Sequence, residues 1–265
     1  MGTASRFYAE ILEKGSGLAH IITQAECEIF LGARVPDILN TNLRADQVSI
    51  STAGRLHHAN EYTTSRVHGN QAVNDIVDPA RALELVDAGA TLILANVESW
   101  LPSVIKLGDA LRQELGSDVQ AHVFLTGSDR RGIPPHADGE DNFLIQLEGV
   151  KEWRIWESTN TSVRYVTEAE LGEPTCTVRL EPGDILYFPV GWIHSATAGS
   201  PGSTHVTFQV VPTPLAEAIA DQLYDALSTR LGDRFAPVPV TEPLSREMLD
   251  DLVQRLIEHT DRRDQ

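Results

Sequence analysis

The chain has 265 residues, 42% of them hydrophobic, which is enough for one large domain or one domain with appendages. Its 38 acidic residues outnumber 21 basic ones; a net charge of −17 argues against nucleic-acid binding, which needs clustered Lys and Arg, and fits equally a basic protein or peptide partner or an acidity that simply keeps the protein in solution. Two cysteines, Cys27 and Cys176, form no CxxC pair and fit a reducing cytoplasm; no apolar run approaches the ~20 residues of a membrane span, so no membrane association is expected.

Residues 1–118 read as a helical and mixed region. "SRFYAEILEKG" and "TQAECEIFLGAR" carry apolar residues at helical spacing. The first of these is amphipathic, unlike a signal peptide. "DQVSISTAG" alternates as a short strand. "DPARALELVDAGA" opens with an Asp N-cap and a Pro at the first helical position. "TLILANV" is a buried-strand run, and "ESWLPSVIKLGDALRQELG" reads as a helix with Pro102 near its start. From residue 119 to 211 the texture changes. "VQAHVFLTG", "NFLIQLEG", "KEWRIW", "CTVRLEPGD", "DILYFPVG" and "STHVTFQVV" are short segments rich in β-branched and aromatic residues, punctuated by Gly, Pro and Asp. They predict an antiparallel sandwich or jelly roll. Residues 212–265 return to helix in "LAEAIADQLYDALSTRLG" and "SREMLDDLVQRLIEHT", with apolar stripes that fit packing on the barrel or a homodimer.

The chemistry concentrates in "GIPPHADGEDNFLIQLEGVKEWRIW", residues 132–156. His136 and Asp138 stand two apart in an extended segment and so project to one face. An isolated H-x-D pair arises often by chance. His194, which follows the Pro-Gly-Asp turn and apolar strand of "LEPGDILYFPVGWIHSA", supplies a second imidazole. Two His and one carboxylate occupy one face of an octahedron and leave positions open, as in non-haem Fe(II) oxygenases. A structural zinc site would be closed by four ligands, and no Cys is suitably placed. Lys151 shares strand parity with Trp153 and Ile155, which allows an inward position; the residues alone also allow a solvated lysine just past a Gly turn. "STHVTF" sets His205, Thr207 and Gln209 on one strand face and Thr204, Val206 and Phe208 on the other.

With these three motifs in order, the span from about 119 to 210 resembles the JmjC-type cupin oxygenases, most closely the ribosomal-protein hydroxylase branch. The resemblance implies a mainly β fold with flanking helices: a double-stranded β-helix over 119–211, with 1–118 packing on it and helices over 212–265. It implies Fe(II) held by His136, Asp138 and His194, with 2-oxoglutarate as co-substrate and O2 as oxidant. It also implies that Lys151 takes the far carboxylate of 2-oxoglutarate and that the Thr207 hydroxyl lies beside it, although a Thr bonded to a neighbouring strand reads equally well. His122 departs from the Asn that relatives carry there; it would still reach the co-substrate, with a charge set by pH. The other histidines lack ligand spacing. Trp100, Trp153, Trp156 and Trp192 read as core aromatics, with Trp192 also able to wall the site.

The implied reaction hydroxylates an unactivated C–H on an amino-acid side chain of a protein or peptide, with succinate and CO2 as co-products. Enzymes of that branch act on ribosomal proteins and continue into a winged-helix domain; about 54 residues after Val211 leave room here for two helices. The alternatives are a hydroxylase of a small-molecule intermediate, a demethylase acting through N-methyl hydroxylation, a metal-dependent cupin enzyme that does not use 2-oxoglutarate, and a non-catalytic JmjC binding module.

Overall fold

A computed structural model describes residues 17–20, 22–158 and 166–211. The helix expected in 5–15 and the two expected after 212 lie outside the described residues. The elements in chain order are β1 (Gly17–His20), α1 (Gln24–Phe30), α2 (Val35–Leu39), β2 (Val48–Thr52), β3 (Arg55–Leu56), α3 (Ala59–Tyr62), β4 (Thr63–His68), β5 (Gln71–Val77), α4 (Pro79–Asp87), β6 (Thr91–Leu94), α5 (Pro102–Leu115), β7 (Val119–Thr126), β8 (His136–Ala137), β9 (Asp141–Trp156), α6 (Glu168–Leu171), β10 (Cys176–Leu180), β11 (Asp184–Phe188) and β12 (Ile193–Val210).

The helices begin and end where local chemistry dictates. The Asp78 carboxylate caps α4, accepting from the N–H groups of Ala80 and Arg81 at 3.1 and 3.3 Å, while Ala82 and Val86 face the core. The helix expected from residue 98 starts at Pro102 instead. A proline needs no N–H partner at the first position, and Val97–Ser99 form a separate 3-10 turn. Gly116, at φ +62°, ends α5 in the left-handed conformation that a side chain would resist.

Ten strands join in one antiparallel system ordered β1-β11-β9-β12-β7-β6-β2-β3, with β10 on β9 and β8 on β12. The two long strands make it fold over. The first half of β9 pairs with β11 and with residues 203–210 of β12; its second half pairs with β10 and with residues 193–198 of β12. Both strands therefore pass from one sheet into the other, and the two sheets face each other as a jelly roll. The sequence pattern, with NFLIQLEG and KEWRIW as separate segments about a Gly turn, predicts a break at Gly149. The strand instead runs through it, bent at φ +63°, where a Cβ would collide with the Gly202 carbonyl oxygen. The bend also changes which residues face inward. Asn142 and Leu144 line the interior before it, and Lys151 and Trp153 line it after.

Two apolar clusters hold this frame. Leu144, Trp153, Ile155, Leu180, Leu186, Phe188 and Ala196 pack inside the barrel. Phe143, Ile145 and Leu147, on the opposite face of β9, join the larger cluster with Cys27 and Leu31 of the α1 region and with β2, β6 and β7. The hairpin of β4 and β5 is largely exposed and forms its own two-stranded sheet, anchored by buried Ile76 and Val77. It went unread because its mostly polar strands lack the alternation that marks a half-buried strand. No helix among the described residues is long and apolar enough to cross a membrane.

Candidate metal centre and its cavity

His136 and Asp138 enter from the loop at β8, and His194 from the second residue of β12, directly opposite His136 in register. Two backbone-anchored contacts bring these segments together: Gly191 N–H donates to the Asp138 carbonyl at 3.1 Å, and Val190 N–H to the Asp141 carboxylate at 2.7 Å. His136 Nδ1 donates to the Pro134 carbonyl at 2.8 Å and His194 Nδ1 to the Trp192 carbonyl at 3.2 Å. A carbonyl accepts only, so each ring carries its proton on Nδ1 and turns the Nε2 lone pair inward. These Nε2 atoms lie 3.5 and 3.6 Å from the two oxygens of Asp138. One ligand atom from each residue falls within 4.8 Å of the others.

This donor set fits a divalent metal. Two imidazoles with fixed tautomers and one carboxylate, without sulfur, leave coordination positions open. Burial, and next the neighbouring His136, hold His194 down at about 4, in the neutral form that ligates.

The triad opens on a cavity of about 270 Å³ also lined by Leu144, Lys151, Trp153, Phe188 and His205. Lys151 is 3% exposed, as its parity with Trp153 allows, and burial lowers its pKa to about 7. Its Nζ lies 3.3 Å from Thr126 Oγ1 and 3.5 Å from His205 Nδ1; among the described residues no carboxylate lies within ion-pair distance of it. His205 is buried, stacked on Phe124 at 4.8 Å between ring centres, and kept neutral by burial and by Lys151. It therefore accepts from the ammonium.

His122, Thr207 and Gln209 line the same cavity, as does Asn142. His122 Nδ1 accepts from Asn96 N–H at 3.2 Å, which leaves Nε2–H as the donor, and burial lowers its pKa. Gln209 in turn donates to the Asn142 side chain at 3.3 Å. Thr207 stands opposite His122 in the β7–β12 register. Two expectations about tryptophan change. Trp153 lines the cavity rather than serving only as core, while Trp192 packs against the interior apolar cluster and is not among the lining residues. Parity with Lys151 was the signal for Trp153. Phe188 and Leu144 sit in uniformly apolar runs that carry no such signal.

Known proteins fit this arrangement. Residues 94–218 match the JmjC domain family. That part of the chain is similar to JmjC domains. The chain is 36% identical over 150 residues to the bifunctional lysine-specific demethylase and histidyl-hydroxylase of Dictyostelium discoideum, an alignment covering 54% of this chain and 29% of that protein. It is 38% identical over 125 residues to rat ribosomal oxygenase 1 (44% and 21%) and 35% over 166 residues to bovine ribosomal oxygenase 2 (60% and 35%). The chain thus spans about a third or less of the length of those relatives. Its fold is similar to that of the Escherichia coli ribosomal oxygenase YcfD in complex with cobalt and 2-oxoglutarate, with TM-score 0.55 and 18% identity over 95% of this chain and 66% of that one.

Proposed function

We propose that this protein is an Fe(II)- and 2-oxoglutarate-dependent oxygenase that hydroxylates a C–H bond on an amino-acid residue of a basic protein or peptide. The observation that carries the reading is the shared cavity: the convergent Nε2, Nε2 and carboxylate set of His136, His194 and Asp138 opens on the same space as a buried lysine that lacks an acidic partner among the described residues. In this reading those three residues hold the metal, and Lys151 takes the far carboxylate of the oxo acid as a charge-assisted bond. His205 and Thr126 aim the ammonium, with Thr207 and His122 along the polar wall. When bound, the metal and 2-oxoglutarate supply the chemistry that couples oxidative decarboxylation by O2 to C–H hydroxylation. Leu144, Trp153 and Phe188 keep bulk water from the reacting centre. The substrate class is supported by the net charge of −17 and by the names of the relatives, which are ribosomal oxygenases and a histidyl-hydroxylase. Residues 119–211 would form the catalytic core.

The test is succinate formation from 2-oxoglutarate with iron, ascorbate and an array of Lys/Arg-rich peptides read by mass spectrometry for a gain of one oxygen. His136→Ala and His194→Ala should each lower succinate formation by at least about a hundredfold and abolish cobalt binding. Undiminished turnover in His136→Ala would overturn the assignment.

A further inference from the structure

One residue of the cavity wall carries a buried, unpartnered polar group that the proposed mechanism leaves unused. Trp153 stands on β9 two residues after Lys151, is 5% exposed and lines the cavity. Its indole Nε1–H is buried without a hydrogen-bond acceptor among the described residues. The fold treats two other indoles differently: Trp100 donates to the Ala95 carbonyl at 3.1 Å and Trp156 to the Gly172 carbonyl at 3.0 Å. A buried donor left without an acceptor is costly, and in a cavity wall a bound group can supply the acceptor.

The position of the ring says which group that is. Its centre lies 5.6 Å from Lys151 Nζ and 5.9 Å from the centre of the His194 ring, so it borders both the lysine and a histidine of the triad. A molecule that reaches from Lys151 to the triad would pass close to Trp153. An indole N–H can only donate, so its partner must be an acceptor, and a carboxylate is the acceptor that Lys151 also selects.

We propose that Trp153 is a co-substrate-binding residue whose Nε1–H donates a hydrogen bond to the dicarboxylate held between Lys151 and the triad. The inference rests on the 2-oxoglutarate reading above. The competing use of the group is internal: His205 meets Trp153 edge-on at 5.4 Å and 86°, a geometry in which the N–H could rest on the imidazole face.

The experiment uses the 265-residue chain loaded with zinc, a diamagnetic substitute for iron, with 2-oxoglutarate titrated in. Indole N–H resonances are followed by 15N NMR and affinity by calorimetry. The Trp153 resonance is assigned by its loss in Trp153→Phe, or by elimination with Phe at Trp100, Trp156 and Trp192 should that variant not fold. A downfield shift and slowed exchange of the Trp153 N–H on binding are expected. In Trp153→Phe the affinity for 2-oxoglutarate should fall about tenfold or more, as for loss of one bond to a charged group, with zinc affinity unchanged. A resonance that stays in place while the wild type binds, with a variant affinity within about twofold, would overturn the role of Trp153 and leave the oxygenase reading intact. Failure of the zinc-loaded wild type to bind 2-oxoglutarate would remove both.

Discussion

Under the proposed function, Lys151 is the residue whose state would govern the site. Without a ligand its ammonium is buried, supported by one hydroxyl and one neutral imidazole, and its pKa is drawn from the ordinary 10.5 to about 7. Below pH 7 the lysine is protonated in the folded and unfolded states alike, so the folded protein carries the full cost of the buried charge. Between 7 and 10.5 the unfolded state binds more protons, so stability rises with pH, by about 5 kcal/mol at most across the window. Lys151→Met replaces the ammonium with an apolar group of similar length. The ligand-free variant should be more stable than the wild type at pH 6, by about 2–4 kcal/mol in urea unfolding, with the difference closing towards pH 10. A variant less stable at pH 6 would mean the ammonium is no burden there. Ligand binding reverses the sign. A carboxylate restores the charged form, so above pH 7 binding should take up close to one proton, and affinity should fall about tenfold per pH unit. Calorimetry in buffers of different ionisation enthalpy measures that uptake.

At the scale of elements, the bend in β9 sets the cavity and a carboxylate clamp holds its rim. Gly149→Ala would put a methyl group into the Gly202 carbonyl and place an L side chain at φ +63°. A cost of about 3 kcal/mol or more is expected, read as loss of soluble folded protein or a lowered urea midpoint. The clamp is Glu168 on α6, which accepts from Arg131 in the segment before His136, from Arg154 on β9 and from Ser195 beside His194. Arg131 is half exposed, so its share is small, while Arg154 and Ser195 are more buried. Glu168→Ala should cost about 1–2 kcal/mol in stability and weaken cobalt binding, whereas a distant surface Glu→Ala should change neither. Neither feature was legible in full. A glycine between two strand-like runs reads as a turn, because local propensity cannot see that both runs pair with the same partner strand. The Glu168 contacts join residues far apart in sequence. What could be read were the elements with local signals: the Asp78 cap, the alternation in β2 and the apolar run of β6.

For the whole molecule, the convergence of His136, Asp138 and His194 was legible because each half lies in a short motif, whereas the cavity walls were not, because they assemble from β7, β9, β11 and β12 across long sequence separations. Net charge is the remaining property readable from sequence alone, and at −17 it would act on both reactants of the proposed reaction. A Lys/Arg-rich peptide would be drawn towards such a protein, and dianionic 2-oxoglutarate would be repelled by it until it met the local field of Lys151. Salt screens the long-range field within about 10 Å at 0.1 M and leaves the buried lysine nearly untouched. The two substrates should therefore respond oppositely to ionic strength. Between about 50 and 300 mM NaCl the KM for a basic peptide should rise severalfold, while the KM for 2-oxoglutarate holds steady or falls and kcat stays level. Steady-state kinetics with each substrate varied in turn measure both slopes. A peptide KM indifferent to salt would rule out charge steering and point to a substrate chosen by the shape of the cavity mouth.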